Sequence, residues 1–394
     1  MVYTYDGRER LFTGHSGRLF LLLTFIWLCV SLSTRLLPPL LPAIIDELVI
    51  TSFLAGIALT GERIIRAIVE YPSGRAADRL SRTVVLVGCI GCVIVGLTIL
   101  SVAFSYVIFL LGVLVLGFGR GMYSPASRAL LSDIFREKRG RAFGINMMGS
   151  KFSGIFAAGI AILTVSIATW RAAFLPLAIL LVPLLGALYL VSRESLEIQP
   201  MSFGLRETGR RVFGDSSFRW ILIVYSLYVL AASGVSTFLP LFLLDVHDVS
   251  FALASSAFAL LYASGIVAKP MAGFLSDVIP RLYIAGGSLV IGAGGLVVLI
   301  IAPIESIALV GVIIYVLGYR GLPPGLQAYL MDQFPDGSMA GDLGAMRTVY
   351  MLVGSMGPAN AGFTATVVGF QATYTSFFFL YLIAAAMLLW AARM

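Results

Sequence analysis

Charge is scarce in this chain. Only 12% of its 394 residues are Asp, Glu, Lys or Arg, against roughly 25% in a soluble domain. So little ionic surface cannot cover a water-soluble globule of this size. With 59% hydrophobic residues, lipid must be the solvent for most of the surface. Cysteine and histidine are scarcer still. Cys29, Cys89 and Cys92 all fall inside apolar runs, which excludes a disulfide framework and leaves them as small buried hydrophobes. His15 and His247 lie outside those runs, and no metal-ligand spacing occurs. Nothing here asks for a metal or any other cofactor. A cleavable leader is missing as well: the first apolar run follows a short charged segment without a small-residue cleavage site, and reads as a retained helix.

What the chain has in abundance is apolar length. A spanning helix needs about 20 mostly apolar residues. The pattern predicts an all-α membrane protein of twelve transmembrane helices, near 18–42, 51–72, 83–104, 106–130, 142–168, 171–192, 218–243, 250–272, 282–301, 306–331, 341–368 and 372–392. A polar stretch, 193–217, separates two sets of six, so the expected organisation is a six-helix half over 1–192, a linker, and a six-helix half over 218–394. The connections alternate in charge. On one side Arg171 is the only basic residue; on the other lie Arg8, Arg10, Arg18, Arg75, Arg79, Arg82, Arg136, Lys138, Arg139, Arg141, Arg193, Arg206, Arg210, Arg211, Arg219, Arg281 and Arg393. Positive charge stays inside, so both termini are expected in the cytoplasm of a multi-pass cell-membrane protein. The same asymmetry accounts for most of the net charge of +7, and nucleic acid is not needed as a partner.

The two halves repeat each other. Gly74, Asp78 and Arg82 recur as Gly273, Asp277 and Arg281, and Pro125, Asp133 and Phe135 recur as Pro324, Asp332 and Phe334, an offset of 199 residues. Arg120-Gly121 matches Arg320-Gly321 after a one-residue slip. Two parallel six-helix repeats with a site at mid-membrane are a transporter architecture.

The segment Gly74-Arg75-Ala76-Ala77-Asp78-Arg79-Leu80-Ser81-Arg82 resembles the Gly-x-x-x-Asp-Arg-x-x-Arg loop of the major facilitator superfamily. A weaker copy follows helix 8, where that family repeats it. Pro125-Ala126-Ser127, Arg139-Gly140-Arg141-Ala142 and Trp170-Arg171 support the resemblance, which spans essentially the whole chain. It implies a secondary transporter working by alternating access, commonly a monomer, and not an enzyme. It also implies that the loop is a cytoplasmic latch, assigning Gly74, Asp78, Arg79 and Arg82, with Asp277 and Arg281, to a cytoplasmic gate. Arg347, which opens helix 11 beside Asp332, Asp336 and Asp342, joins them. In physical terms Gly74 permits close helix approach, Asp78 can cap a helix N-terminus, and Arg79 and Arg82 can pair with acids of the other half or with lipid phosphate.

Ionisable residues inside spans cost at least about 2.5 kcal/mol each at a helix centre, so each needs a purpose. On helix 2, Glu62, Arg66, Glu70 and Arg63 lie at about 0°, 40°, 80° and 100° around the axis. They share one face, with Glu62–Arg66 and Arg66–Glu70 as candidate i,i+4 pairs. Glu62 and Arg63 are candidates for proton or substrate binding. Arg35 lies one turn before Pro38, Pro39 and Pro42, in a helix that lines the central cavity of the family. Arg120 and Arg320, each beside a glycine, could clamp an anion with guanidinium forks. Lys151 can change charge during a cycle. The expected substrate or proton site is therefore Arg35, Glu62, Arg63, Arg66, Arg120, Lys151 and Arg320, and the expected partners are a small solute, protons and the lipid bilayer.

The excess of intramembrane arginine favours a small anionic solute, with proton coupling or exchange. Proton-driven export of drugs or hydrophobic compounds is the alternative, with Glu62 as proton carrier. The superfamily's drug–proton antiporters usually carry an arginine in mid-helix 4 and Gly-Pro in helix 5; those positions read Val113 and Ala157-Ala158. An intramembrane hydrolase would need a Ser–His pair, paired aspartates or a metal site at depth, and the spans supply none of these. A receptor built on a transporter fold finds no appended soluble domain to support it.

Overall fold

The computed structural model describes residues 11–79, 81–135, 138–192, 216–333 and 339–393. These are helical almost throughout. The first half runs α1 (Gly14–Arg35), α2 (Leu37–Leu48), α3 (Ser52–Arg79), α4 (Arg82–Ser101), α5 (Tyr106–Ile134), α6 (Arg139–Ile167), a 3-10 turn (Trp170–Ala173) and α7 (Leu175–Val191). The second runs α8 (Ser216–His247), α9 (Phe251–Ala263), α10 (Gly265–Val278), α11 (Arg281–Ile301), α12 (Glu305–Gln333), α13 (Met339–Ser355) and α14 (Gly357–Ala391).

Nine stretches among the described residues are long and apolar enough to cross a bilayer on length and composition alone. Three details bring these to the twelve spans of the fold. Helix α3 falls short on composition because Glu62, Arg63, Arg66 and Glu70 interrupt its apolar run. The eighth span is broken at Ser264 into α9 and α10. The last stretch, Met346–Ala391, has 46 residues, or about 69 Å of helix at 1.5 Å per residue, twice the ~30 Å hydrocarbon core. It turns back at Gly369, where φ is 84° and glycine alone is unstrained.

Local sequence explains the other breaks. Span one bends at Leu36, and Pro38 and Pro39 follow in the first turn of α2, where a missing N–H costs nothing. Ser81 Oγ accepts from Val84 N at 3.2 Å and opens α4; Ser250 Oγ accepts from Leu253 N at 3.3 Å and opens α9. The expected loop around Gly74 is mostly helix: α3 continues through Pro72 to Arg79, since Arg75, Ala76 and Ala77 are strong helix formers. Val49 and Asp248, 199 positions apart, both take a left-handed backbone, with φ of 51° and 50°. The repeat thus reaches into the turns.

The chain packs as two compact units: Met1–Ile50 with Gly61–Ser202, and Thr51–Thr60 with Phe203–Met394. The polar connection expected at 193–217 lies outside the described residues up to position 215. In the first unit α5 carries Gly117, Gly121 and Pro125 at four-residue spacing against α3. A Cβ at Gly117 would fall 2.5 Å from the Glu62 carbonyl oxygen, and one at Gly121 2.8 Å from that of Arg66. Small residues here let two backbones touch. In the second unit Gly318 and Gly321 of α12 press on Gly292 and Ser288 of α11. The first turns of α3 belong to the second unit, where Thr60 Oγ1 accepts from Ala359 N at 3.0 Å and Phe53 meets Phe363 edge-on at 5.5 Å. Large apolar side chains such as Ile68, Phe104, Leu190, Phe274 and Val367 face outward, a surface suited to acyl chains and not to water.

Candidate functional site

The first unit gathers three of the expected residues. The contacts of Gly117 and Gly121 with α3 bring Arg120 of α5 to the face carrying Glu62 and Arg66. Glu62 is buried, and its Oε1 lies 3.5 Å from Arg120 Nη1 and 3.9 Å from Arg66 Nη1. That oxygen has no hydrogen bond, so the carboxylate is held by charge and not by a donor. Arg120 Nη1 donates to Thr34 Oγ1 at 2.6 Å, tying α5 to α1. Two guanidiniums share one carboxylate. Arg66 is within ion-pair distance of Glu62 and not of Glu70 among the described residues. The ladder expected along helix 2 is therefore half present: its first acid, Glu62, is shared with a cation from another helix.

Arg35 ends α1, where a cation suits the helix dipole. Arg35, Arg63 and Lys151 are half-buried. Trp27 stacks on Tyr123 at 4.8 Å, and the Tyr123 hydroxyl donates to Leu23 O at 2.6 Å, fixing the neighbouring wall of α1 and α5.

The second unit holds Arg320 in a different setting. Its residue exposure is 8%, yet no carboxylate among the described residues lies within ion-pair distance. Nη2 donates to Leu261 O at 3.0 Å and Nη1 to the Tyr319 hydroxyl at 3.4 Å. The guanidinium carbon lies 4.3 Å from the Tyr319 ring centre and 5.5 Å from that of Tyr262. More tyrosines extend this wall. Tyr315 stacks on Tyr319 at 5.8 Å, and the Tyr228 hydroxyl donates to Tyr319 O at 2.6 Å. Tyr315 and Tyr381 share a hydrogen bond at 3.3 Å, and Tyr225 stacks on Tyr350 at 4.3 Å.

The residues assigned to a gate are placed as follows. A Cβ on Gly74 would meet Pro125 Cβ at 3.3 Å, so Gly74 seats α3 on α5. Arg82 forms an ion pair with Asp133 of its own unit. Arg281 opens α11, and its carbonyl packs on Gly325. Arg347 is exposed on α13. The side chains of Asp78, Arg79, Asp277, Asp332, Asp336 and Asp342 lie outside the described residues.

Buried charge on two helix-paired units, with apolar surroundings, is what solute carriers require. A sequence profile described as the Major Facilitator Superfamily matches residues 23–358. The chain belongs to that superfamily. Solved structures of superfamily transporters share its fold. One is a bacterial homologue of the human lysosomal transporter Spinster, inward-facing and unoccupied: it is 18% identical, covers 97% of this chain and 98% of its own, and has a TM-score of 0.84. A D-xylose–proton symporter is 15% identical over 95% of this chain and 97% of its own, with a TM-score of 0.76. The human organic anion transporter MFSD10 is 16% identical over 95% and 100%, with a TM-score of 0.66. No curated protein matches by sequence. The superfamily member described here is a multi-pass membrane protein and a secondary transporter, not an enzyme.

Sequence reasoning missed Thr34 and the tyrosines. Tyr225 and Tyr228, and Tyr315 and Tyr319, stand at helical spacing on their own helices, a signal that could have marked an aromatic face beside Arg320.

Proposed function

We propose that this transporter carries a small anionic solute by alternating access, coupled to protons or to exchange. The observation that carries the reading is Arg320: a buried guanidinium with π faces and a carbonyl around it and, among the described residues, no carboxylate within ion-pair distance. A charge taken out of water needs a counter-charge, and an anionic cargo supplies one. Glu62 is the proton acceptor in this reading. Neutralising it would remove the acid that Arg66 and Arg120 share and raise the local charge by one, a change large enough to bias two conformations. Arg35, Arg63 and Lys151 add positive potential along the solute's route. Gly74, Asp78, Arg79, Arg82, Asp277, Arg281 and Arg347 serve as the cytoplasmic latch. The site of action is the cell membrane, with both termini inside. The same fold serves the human organic anion transporter MFSD10.

The test is uptake into proteoliposomes. Acetate, benzoate and phosphate are offered beside neutral xylose and a cationic dye, with and without an inward proton gradient. Saturable anion uptake that is lost in Arg320→Gln supports the reading. Transport of the neutral or cationic probe that ignores Arg320→Gln overturns it.

A further inference from the structure

The bare oxygen of Glu62 has a cause on another helix. We infer that Thr34 of α1 is a positioning residue for proton uptake: its hydroxyl holds Arg120 aimed away from Glu62 and so keeps Glu62 Oε1 without a hydrogen-bond donor. The inference rests on the reading of Glu62 as proton acceptor and adds a further residue that sets its behaviour.

Two hydroxyls fold back on α1 just before it bends at Leu36. Ser33 Oγ donates to Val30 O at 2.8 Å and Thr34 Oγ1 to Ser31 O at 3.4 Å, a form of back-bonding that accompanies helix bends. The one hydroxyl proton of Thr34 is directed at that carbonyl, which leaves the lone pairs of Oγ1 as acceptors. Arg120 Nη1 of α5 donates to Oγ1 at 2.6 Å, a short contact of the kind that a charged donor makes. Thr34 is 7% exposed, so the contact is largely shielded from water.

That same nitrogen faces the acid. Arg120 Nη1 stands 3.5 Å from Glu62 Oε1, within ion-pair range, yet the oxygen accepts no hydrogen bond. A carboxylate is ordinarily the stronger partner for a guanidinium, so the hydroxyl wins by position and not by strength. The charges that face Glu62 are Arg66 of its own helix, at 3.9 Å, and Arg120 of α5. Arg63 and Arg35, next in sequence to Glu62 and Thr34, are half-buried. Thr34 adds no charge to this set; it decides how one of the cations is aimed. A hydrogen bond from Arg120 to Oε1 would favour the ionised carboxylate and oppose its protonation. With that donor held at Thr34, Arg120 attracts the carboxylate through space without closing that bond.

The readout is the carboxylic-acid infrared band of Glu62, followed against pH in the purified, lipid-reconstituted transporter and identified as the band that Glu62→Gln removes. No solute is needed. Thr34→Val is close in shape and lacks the hydroxyl, so the N–H that Thr34 held turns to Glu62 Oε1. The band is then expected to appear about one pH unit further into acid, the size of one hydrogen bond to a charged group. Thr34→Ser keeps the hydroxyl and is expected to titrate as the wild type. Thr34→Ala carries the same expectation as Thr34→Val and replaces it where the valine variant does not fold. A mere structural tie between α1 and α5 would lower the unfolding temperature of Thr34→Val and leave the titration in place. That outcome, or a serine variant that shifts as far as the valine one, would overturn the role of Thr34 while leaving Glu62 as proton acceptor. Absence of any pH-dependent band that Glu62→Gln removes would overturn the reading of Glu62 itself, and the role of Thr34 with it.

Discussion

Arg171 and Arg320 are both buried arginines that lean on aromatic rings, and their difference lies in one neighbour. Arg171 lies 4.8 Å from the Phe104 ring centre and 4.6 Å from that of Trp170, and its Nε donates to Ala103 O at 2.8 Å. It also pairs with Glu47, so its charge is answered within the fold. That explains why this basic residue stands alone on its side of the sequence: it ties the end of α2 and the α4–α5 connection to the turn before α7. Replacing Arg171 by Ala is expected to lower stability by about 2 kcal/mol, in the range of a hydrogen bond to a charged group, with solute affinity unchanged. Thermal unfolding of the purified protein and a binding isotherm check the two halves of that statement. Glu47→Gln is expected to cost less, because the Glu47 carboxylate is 42% exposed and water screens it. Glu62 is the opposite case, nearly out of water between Arg66 and Arg120. Glu62→Gln is expected to abolish the stimulation of solute uptake by an imposed proton gradient in proteoliposomes; a variant that keeps the wild-type response would exclude this carboxylate as the coupling group.

The turns between the first two spans of each half test local conformation. Val49 is 90% exposed and holds a left-handed backbone, with its N–H donating to Ile45 O. A β-branched residue is strained there, by a cost of order 1–3 kcal/mol. Its repeat counterpart, Asp248, belongs to a residue type that tolerates the same angles. Val49→Asn is expected to raise stability by about 1 kcal/mol, and Asp248→Val to lower it by a similar amount. Equal unfolding temperatures across these two variants and the wild type would mean that the turns relax at no cost. Element positions were largely legible because apolar length and loop charge follow from the bilayer itself. The break at Ser264 was not. No proline marks it, and Gly265 acquires meaning only where it packs against Arg320, a residue of another helix. The i,i+4 pairing of Arg66 with Glu70 failed for the same reason: a helical wheel sees one helix, and Arg120 reaches Glu62 from another through the contact that Gly117 allows.

For the molecule as a whole, the asymmetry of basic residues predicts an orientation that can be measured directly. Fluorescent-protein fusions at both ends should be bright and alkaline phosphatase fusions silent, as expected for two cytoplasmic termini. A phosphatase-active fusion at either end would reverse the assignment. The repeat was visible in sequence as a shared offset, and the structure extends it to the paired turns at Val49 and Asp248. The division of chemistry between the halves was not visible. Arg120 and Arg320 match in position, yet one shares an acid and the other stands among tyrosines, and only tertiary packing distinguishes them.

The lone carboxylate oxygen of Glu62, held by two guanidiniums without a hydrogen bond, bears on the electrical character of the transport cycle. One proton taken up there and one monoanion taken up at Arg320 would cancel. The loaded carrier would then cross with the same net charge as the empty one. Membrane voltage, worth about 2.3 kcal/mol per elementary charge per 100 mV, would then move no net charge over a complete cycle. Accumulation would follow the pH difference alone, and a potassium diffusion potential imposed with an ionophore would leave its final level where it was.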